Sequence, residues 1–276
     1  MVTYIQFIRF SLVFIINLAL TRLLLRNLNY YLMNRGIYGI DINKEEKIKI
    51  PEEGGISIVI SLCISFVLIW VVFRSDWIWL LIFTSLLIST LGFIDHFRNI
   101  RPYPKFIYCA VIGSSYLFYI LNDPAINPKT LIIAIIIIPI GYSVLVNAYN
   151  LLAGFNGLES GVTVIISVTM AIFFYSKGFT AEAGVSALVG GSYFVFWFLN
   201  KYPAKIFIGD SGTLLPLSIF IGLAIITRMW QPILFISAPH LINAAIKFLS
   251  TGVRSRSDLK PLIFEEGKLR LPEKYY

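Results

Sequence analysis

Lys205-Ile206-Phe207-Ile208-Gly209-Asp210-Ser211-Gly212-Thr213 opens directly onto residues 214–226, a run that contains no charged residue. A carboxylate at the mouth of so apolar a run is costly to keep, which points to its use. The same alternation of a long apolar run with a short polar island recurs along the whole chain. It makes the expected fold class all-α, a polytopic membrane protein.

Composition agrees. Of 276 residues, 57% are hydrophobic and 14% charged, with mean hydropathy +0.78, whereas soluble domains carry about 25% charged residues. In lipid, only helices and closed barrels satisfy every backbone polar group, and these runs are too long and continuous for barrel strands. Nine transmembrane helices are predicted, at 4–25, 56–73, 77–94, 106–121, 131–146, 162–175, 184–199, 214–226 and 232–249. The first is longer than a signal-peptide core and lacks a small-residue cleavage pattern, so it is expected to stay as an anchor.

The net charge of +8 is spread over short loops and forms no stripe, so nucleic acid is not an expected partner. Topology explains it instead. Sixteen Lys and Arg residues fall on one set of alternating loops, and only Arg74, Lys129, Lys177 and Arg228 on the other. The positive-inside rule then places the amino terminus outside and the carboxyl terminus in the cytoplasm. Cys63 and Cys109 lie in different apolar runs without metal-ligand or redox spacing and read as fillers.

This orientation gathers the polar islands on the cytoplasmic face of a single 1–276 domain, at loops 26–55, 95–105, 147–161, 200–213 and 250–276. In the third loop, Asn147 and Asn150 share a face if that stretch is helical. Capping asparagines and turn glycines would explain the island equally well. Yet an amide oxygen and a carboxylate, Asn150 with Asp210, are hard ligands of the kind Mg²⁺ accepts while keeping waters and substrate phosphates. Asp95-His96 and Lys105 flank the second loop; a plain basic loop with Asp95 paired to an arginine is the bland alternative. His240, in the last run after Pro239, reads as structural.

Five elements stand in order: Pro51-Glu52-x-x-Gly55; Gly92-Phe93-x-Asp95 with Lys105 ten residues on; Asn147-Ala-x-Asn150-x-x-Ala-Gly-x-Asn156-Gly157-Leu158-Glu159; Tyr202-Pro203-Ala204-Lys205-x-Phe207-x-Gly209-Asp210; and Arg254-x-Arg256. On these the chain resembles the polyprenyl-phosphate N-acetylhexosamine-1-phosphate transferases. Within them it is most similar to the eukaryotic and archaeal enzymes that move GlcNAc-1-phosphate from UDP-GlcNAc onto dolichyl phosphate, the first step of lipid-linked oligosaccharide assembly for protein glycosylation.

The resemblance implies Asn150 and Asp210 as Mg²⁺ ligands, with Mn²⁺ as a substitute, and a catalytic set of Asp95, Lys105 and Asp210. It implies Asn156 at the nucleotide-sugar, Arg254 and Arg256 gripping diphosphate and GlcNAc, and Glu52 and Asn147 lining the site. The partners it implies are UDP-GlcNAc, a polyprenyl or dolichyl phosphate and membrane lipid, with a homodimer left open. Two positions depart from the family pattern: His96 stands where a second acid is usual, and Ser255 where a histidine is usual. The alternatives are a bacterial-type undecaprenyl-phosphate sugar-1-phosphate transferase, whose members usually carry Asp at the place of Asn156, and a membrane transporter, which would bury acids mid-span.

Overall fold

The computed structural model describes residues 4–41, 48–122, 126–152, 155–251, 263–265 and 268–270. Among these, nine helical spans are long and apolar enough to cross a membrane. Two of the spans are broken into pairs of helices. The helices are α1 (Tyr4–Asn34), α2 (Gly55–Phe73), α3 (Trp77–Arg98), α4 (Pro102–Ser114), α5 (Leu117–Leu121), α6 (Pro128–Asn150), α7 (Leu158–Ser176), α8 (Thr180–Asn200), α9 (Gly209–Thr213), α10 (Leu215–Thr227) and α11 (Trp230–Thr251). Strands β1 (Tyr38–Ile40) and β2 (Lys49–Pro51) pair antiparallel, as do β3 (Ile263–Glu265) and β4 (Lys268–Arg270). These short hairpins lie outside the spans, and the protein is an all-α polytopic membrane protein as expected.

The organising element is α10. Every residue from Leu215 to Thr227 is buried. A helix apolar on all faces must be enclosed by others, and α3, α6, α8 and α11 pack around it. Lipid-facing helices look different: Ile132, Ile133, Ile135, Ile136 and Ile137 of α6 are all exposed.

Local signals set the helix ends. Asn99 closes α3 in the left-handed conformation that asparagine tolerates, and Pro102 at the start of α4 supplies a preset φ with no orphan N–H. At the start of α6, the Asn127 side chain accepts a hydrogen bond from Thr130 N at 2.9 Å.

A buried polar knot ties α1 to α2 and α8. Asn17 Nδ2 donates to Leu188 O at 2.9 Å, and its Oδ1 accepts from Ser61, Ser65 and Ser192 hydroxyls at 3.1, 3.0 and 3.0 Å. In hydrocarbon the alternative to such pairing is an unsatisfied polar group, so the knot fixes the register of three helices.

Several boundaries differ from expectation. α1 runs for 31 residues, about 46 Å at 1.5 Å per residue, and so passes well beyond a hydrocarbon core of about 30 Å. Its internal hydrogen bonds do not depend on lipid, so it continues through Arg26 and Asn29 until the turn at Arg35-Gly36. For the same reason much of the expected loop sequence at 95–105, 147–161 and 200–213 is helical. Asp95 sits in the last turn of α3, Lys105 in the first turn of α4, Asn147 and Asn150 in the last turn of α6, and Asp210 at the start of α9.

Candidate active site

Backbone pairing brings two distant motifs together. Phe207 N donates to Pro51 O at 2.8 Å, Gly54 N to Phe207 O at 2.9 Å and Gly55 N to Ile208 O at 2.8 Å. This short ladder sets Glu53 against the start of α9. The buried Glu53 carboxylate accepts from Asp210 N at 3.3 Å and Ser211 N at 3.4 Å, two of the donors a helix start leaves without a partner. Burial, reinforced by Asp210 and Glu52 nearby, pushes its pKa up from the usual carboxylate range to about 7.

Two glycines let the backbones close. A Cβ on Gly92 would lie 2.5 Å from the carbonyl carbon and oxygen of Asp210, and one on Gly55 would lie 2.3 Å from Gly212 N. Helices α3 and α2 therefore press directly on the turn that carries Asp210, and a side chain at either position would move it.

At the centre, Lys105 bridges two acids. Its Nζ donates to Asp210 Oδ2 at 2.6 Å and to Asp95 Oδ2 at 2.8 Å, with all three residues buried. Asp95 Oδ1 accepts from Ile100 N at 2.6 Å, so both oxygens of that carboxylate are held. Asn150 Nδ2 donates to Asp210 Oδ2 at 3.5 Å, and the Thr213 hydroxyl donates to Asn150 Oδ1.

The structure thus brings together Asp95, Lys105, Asn150 and Asp210, from four helices. Glu52 lies alongside: its Oε2 is 3.7 Å from His96 Nδ1, which is also 3.7 Å from Glu53 Oε1. Asn147 turns its amide back along α6, donating to Ser143 O at 2.9 Å. Asn156 donates to Asp41 Oδ2 at 3.0 Å and so meets the end of the β1–β2 hairpin. Arg254 and Arg256 lie outside the described residues. Glu53 and Asp41 are additions that sequence reasoning missed, although each is buried and each touches a residue that it singled out.

Chemically, two carboxylates, of Asp95 and Asp210, share one lysine, and two more acids, Glu52 and Glu53, stand beside them against His96 and the start of α9. Such a site repels an anionic substrate unless further positive charge enters. Among the described residues no group of three or more His, Cys, Asp or Glu side chains could enclose a metal.

Comparison with known proteins places this arrangement. Residues 78–229, which contain Asp95, Lys105, Asn150 and Asp210, match the family described as glycosyl transferase family 4. A Methanocaldococcus jannaschii protein named provisionally as a glycosyltransferase is 36% identical over 84% of this chain and 73% of its own length. A Saccharolobus solfataricus protein, named provisionally as a UDP-N-acetylglucosamine–dolichyl-phosphate N-acetylglucosaminephosphotransferase, is 34% identical over 86% of this chain and 76% of its own. The phospho-N-acetylmuramoyl-pentapeptide-transferase of Vesicomyosocius okutanii is 30% identical over 80% and 72%. With the matched segment covering more than half of the chain and running through the buried acid-lysine cluster, the chain belongs to glycosyl transferase family 4.

Proposed function

We propose that the protein transfers GlcNAc-1-phosphate from UDP-GlcNAc to a polyprenyl phosphate of the dolichyl type, giving polyprenyl-diphosphate-GlcNAc and UMP. The observation that carries this reading is Lys105 held between Asp95 and Asp210 beside Asn150, at the shared end of the bundle. The Saccharolobus solfataricus relative named for this reaction supports the choice of sugar and lipid.

In the reaction a lipid phosphate oxygen attacks the β-phosphorus of the sugar nucleotide, and UMP leaves. Both reactants are anionic, so the residues must offset repulsion and hold the two in line. Lys105 uses two of its three N–H donors on Asp95 and Asp210, and in this reading the third serves a phosphate oxygen. Arg254 and Arg256 add positive charge at the diphosphate and the GlcNAc. Asn156 and Glu52 line the sugar-nucleotide side, and Asn147 the same wall.

The donor set fits Mg²⁺, or Mn²⁺ in its place. Asp210 and Asn150 would hold it, and a half-turn of the Asn150 carboxamide presents Oδ1 toward Asp210 while its NH₂ finds the Thr213 hydroxyl. Bound there, the cation would supply charge neutralisation at the diphosphate. Asp95 needs no strong basicity for its part. The second ionisation of a phosphate monoester lies near pH 6, so the lipid nucleophile is largely deprotonated at neutral pH.

The lysine and arginine asymmetry supports a cytoplasmic site in this reading, on the side where sugar nucleotides are available. A second reading, a bacterial-type transferase loading undecaprenyl phosphate, is favoured by the 30% identity to the pentapeptide transferase. A transporter is disfavoured because the acids collect at helix ends, not at mid-span.

Thin-layer analysis of the lipid product, with purified protein, polyprenyl phosphate and labelled UDP-GlcNAc, UDP-GalNAc or UDP-MurNAc-pentapeptide in parallel, tests the reading. Label enters the lipid from UDP-GlcNAc. Lipid label from UDP-MurNAc-pentapeptide alone, or vesicle uptake of intact UDP-GlcNAc without lipid label, overturns it.

A further inference from the structure

The last span is only lightly embedded: 22% of its apolar window is buried in the protein. What attaches it near the site is a polar stripe. His240, Asn243 and Lys247 of α11 stand at i, i+3 and i+7 and so share one face. Elsewhere polar groups facing hydrocarbon would be costly; here all three meet the carboxyl end of α6.

The contacts fall on either side of Asn150. The buried His240 ring packs edge-on against Tyr149, with centroids 4.8 Å apart and planes at 72°. Asn243 Nδ2 donates to Leu151 O at 3.3 Å, and the Lys247 ammonium donates to the same carbonyl. Carbonyls at a helix end have no partner within the helix, and a cation there complements the helix dipole. Tyr149 is held from a second side, its hydroxyl donating to Glu159 O at 2.8 Å. Both chain neighbours of Asn150 are therefore pinned, and α11 does part of the pinning on each.

We infer that His240, Asn243 and Lys247 are positioning residues for Asn150, so that docking of the last span on the end of α6 sets how well the site binds a divalent cation. The inference rests on the reading of Asn150 and Asp210 as cation ligands. It adds a task for α11 besides carrying the chain to Arg254 and Arg256. Lys247 does not touch substrate in this arrangement; it acts through the Leu151 carbonyl.

Mn²⁺ binding to the purified full-length protein, followed by the loss of free-ion paramagnetic resonance signal, reads the effect without turnover. Lys247→Met weakens Mn²⁺ binding about ten-fold, as loss of an outer-sphere support does, with helical content equal to wild type. Lys247→Arg keeps a donor at the carbonyl and recovers most of the affinity. Asn243→Leu gives a smaller loss and serves as the test if Lys247→Met does not fold. Unchanged Mn²⁺ affinity in Lys247→Met, or in Asn243→Leu where that variant stands in for it, overturns the inference while leaving the ligand assignment standing. Absence of Mn²⁺ binding by the wild type, or binding undiminished in Asp210→Asn, overturns that assignment and the inference with it.

Discussion

Lys105 and Asp210 are joined by a 2.6 Å hydrogen bond inside the protein, across 105 residues of sequence. The same ammonium holds Asp95. Removing it leaves two buried carboxylates facing each other, and breaking a buried ion pair by loss of one partner costs about 3–5 kcal/mol. Lys105→Met is therefore expected to lower the melting temperature clearly and to abolish transfer. A thermal melt with a parallel UMP-release assay checks it; wild-type stability in this variant would show that the bridge does not form.

Glu53 gives a sharper separation of structure from chemistry. Glu53→Ala leaves the N–H groups of Asp210 and Ser211 without their acceptor, at a cost of about 1–3 kcal/mol. Transfer should fall by more than the loss of folded protein explains, because the turn carrying Asp210 is then free to shift. Specific activity per folded molecule, from chromatography-purified monodisperse protein, is the measurement.

Gly92→Ala acts on the same turn from α3. The added methyl would sit 2.5 Å from the Asp210 backbone, so the backbones must part. The expected outcome is a folded membrane protein with a drop in activity of about ten- to a hundred-fold, the upper figure being what a 1 Å misplacement at a reacting centre can cost. Full activity would mean that α3 does not press on Asp210.

Asn17→Leu tests the scaffold alone. It removes the acceptor shared by Ser61, Ser65 and Ser192, and interhelical hydrogen bonds in membranes are worth about 0.6–2 kcal/mol each. A lower melting temperature with unchanged activity per folded molecule is expected.

Asp95→Asn is read through pH. If Asp95 only helps to deprotonate the lipid phosphate, raising the pH does that work in its place, since more of the monoester is ionised above about pH 6. The deficit relative to wild type should shrink as pH rises from about 6 to 8. A deficit constant across that range assigns Asp95 to holding Lys105 instead.

Much of this was legible in the sequence because membrane helices announce themselves. Long, predominantly apolar runs located the nine spans found among the described residues, and the loops between them marked the polar end. Asp210, Asn150, Asp95 and Lys105 were readable because each lies in a short polar island at the end of an apolar run and in one of the ordered motifs that carry the family resemblance. Glu53 was not: beside Glu52 in a polar loop, nothing local says which glutamate turns inward. That is decided by the Pro51–Gly55 ladder to Phe207 and Ile208, a contact between segments about 150 residues apart. Asp41 was missed for a similar reason, since it meets Asn156 only through the β1–β2 hairpin. Helix ends ran past the apolar boundaries because hydropathy marks where lipid stops, not where helical hydrogen bonding stops.

The most direct measurement is UMP release and lipid labelling by purified wild type and Asp210→Ala, with UDP-GlcNAc, polyprenyl phosphate and Mg²⁺. The account predicts labelled lipid and stoichiometric UMP from wild type, both lost on chelation, and neither from Asp210→Ala. Wild-type transfer by Asp210→Ala at the same Mg²⁺ concentration would contradict it.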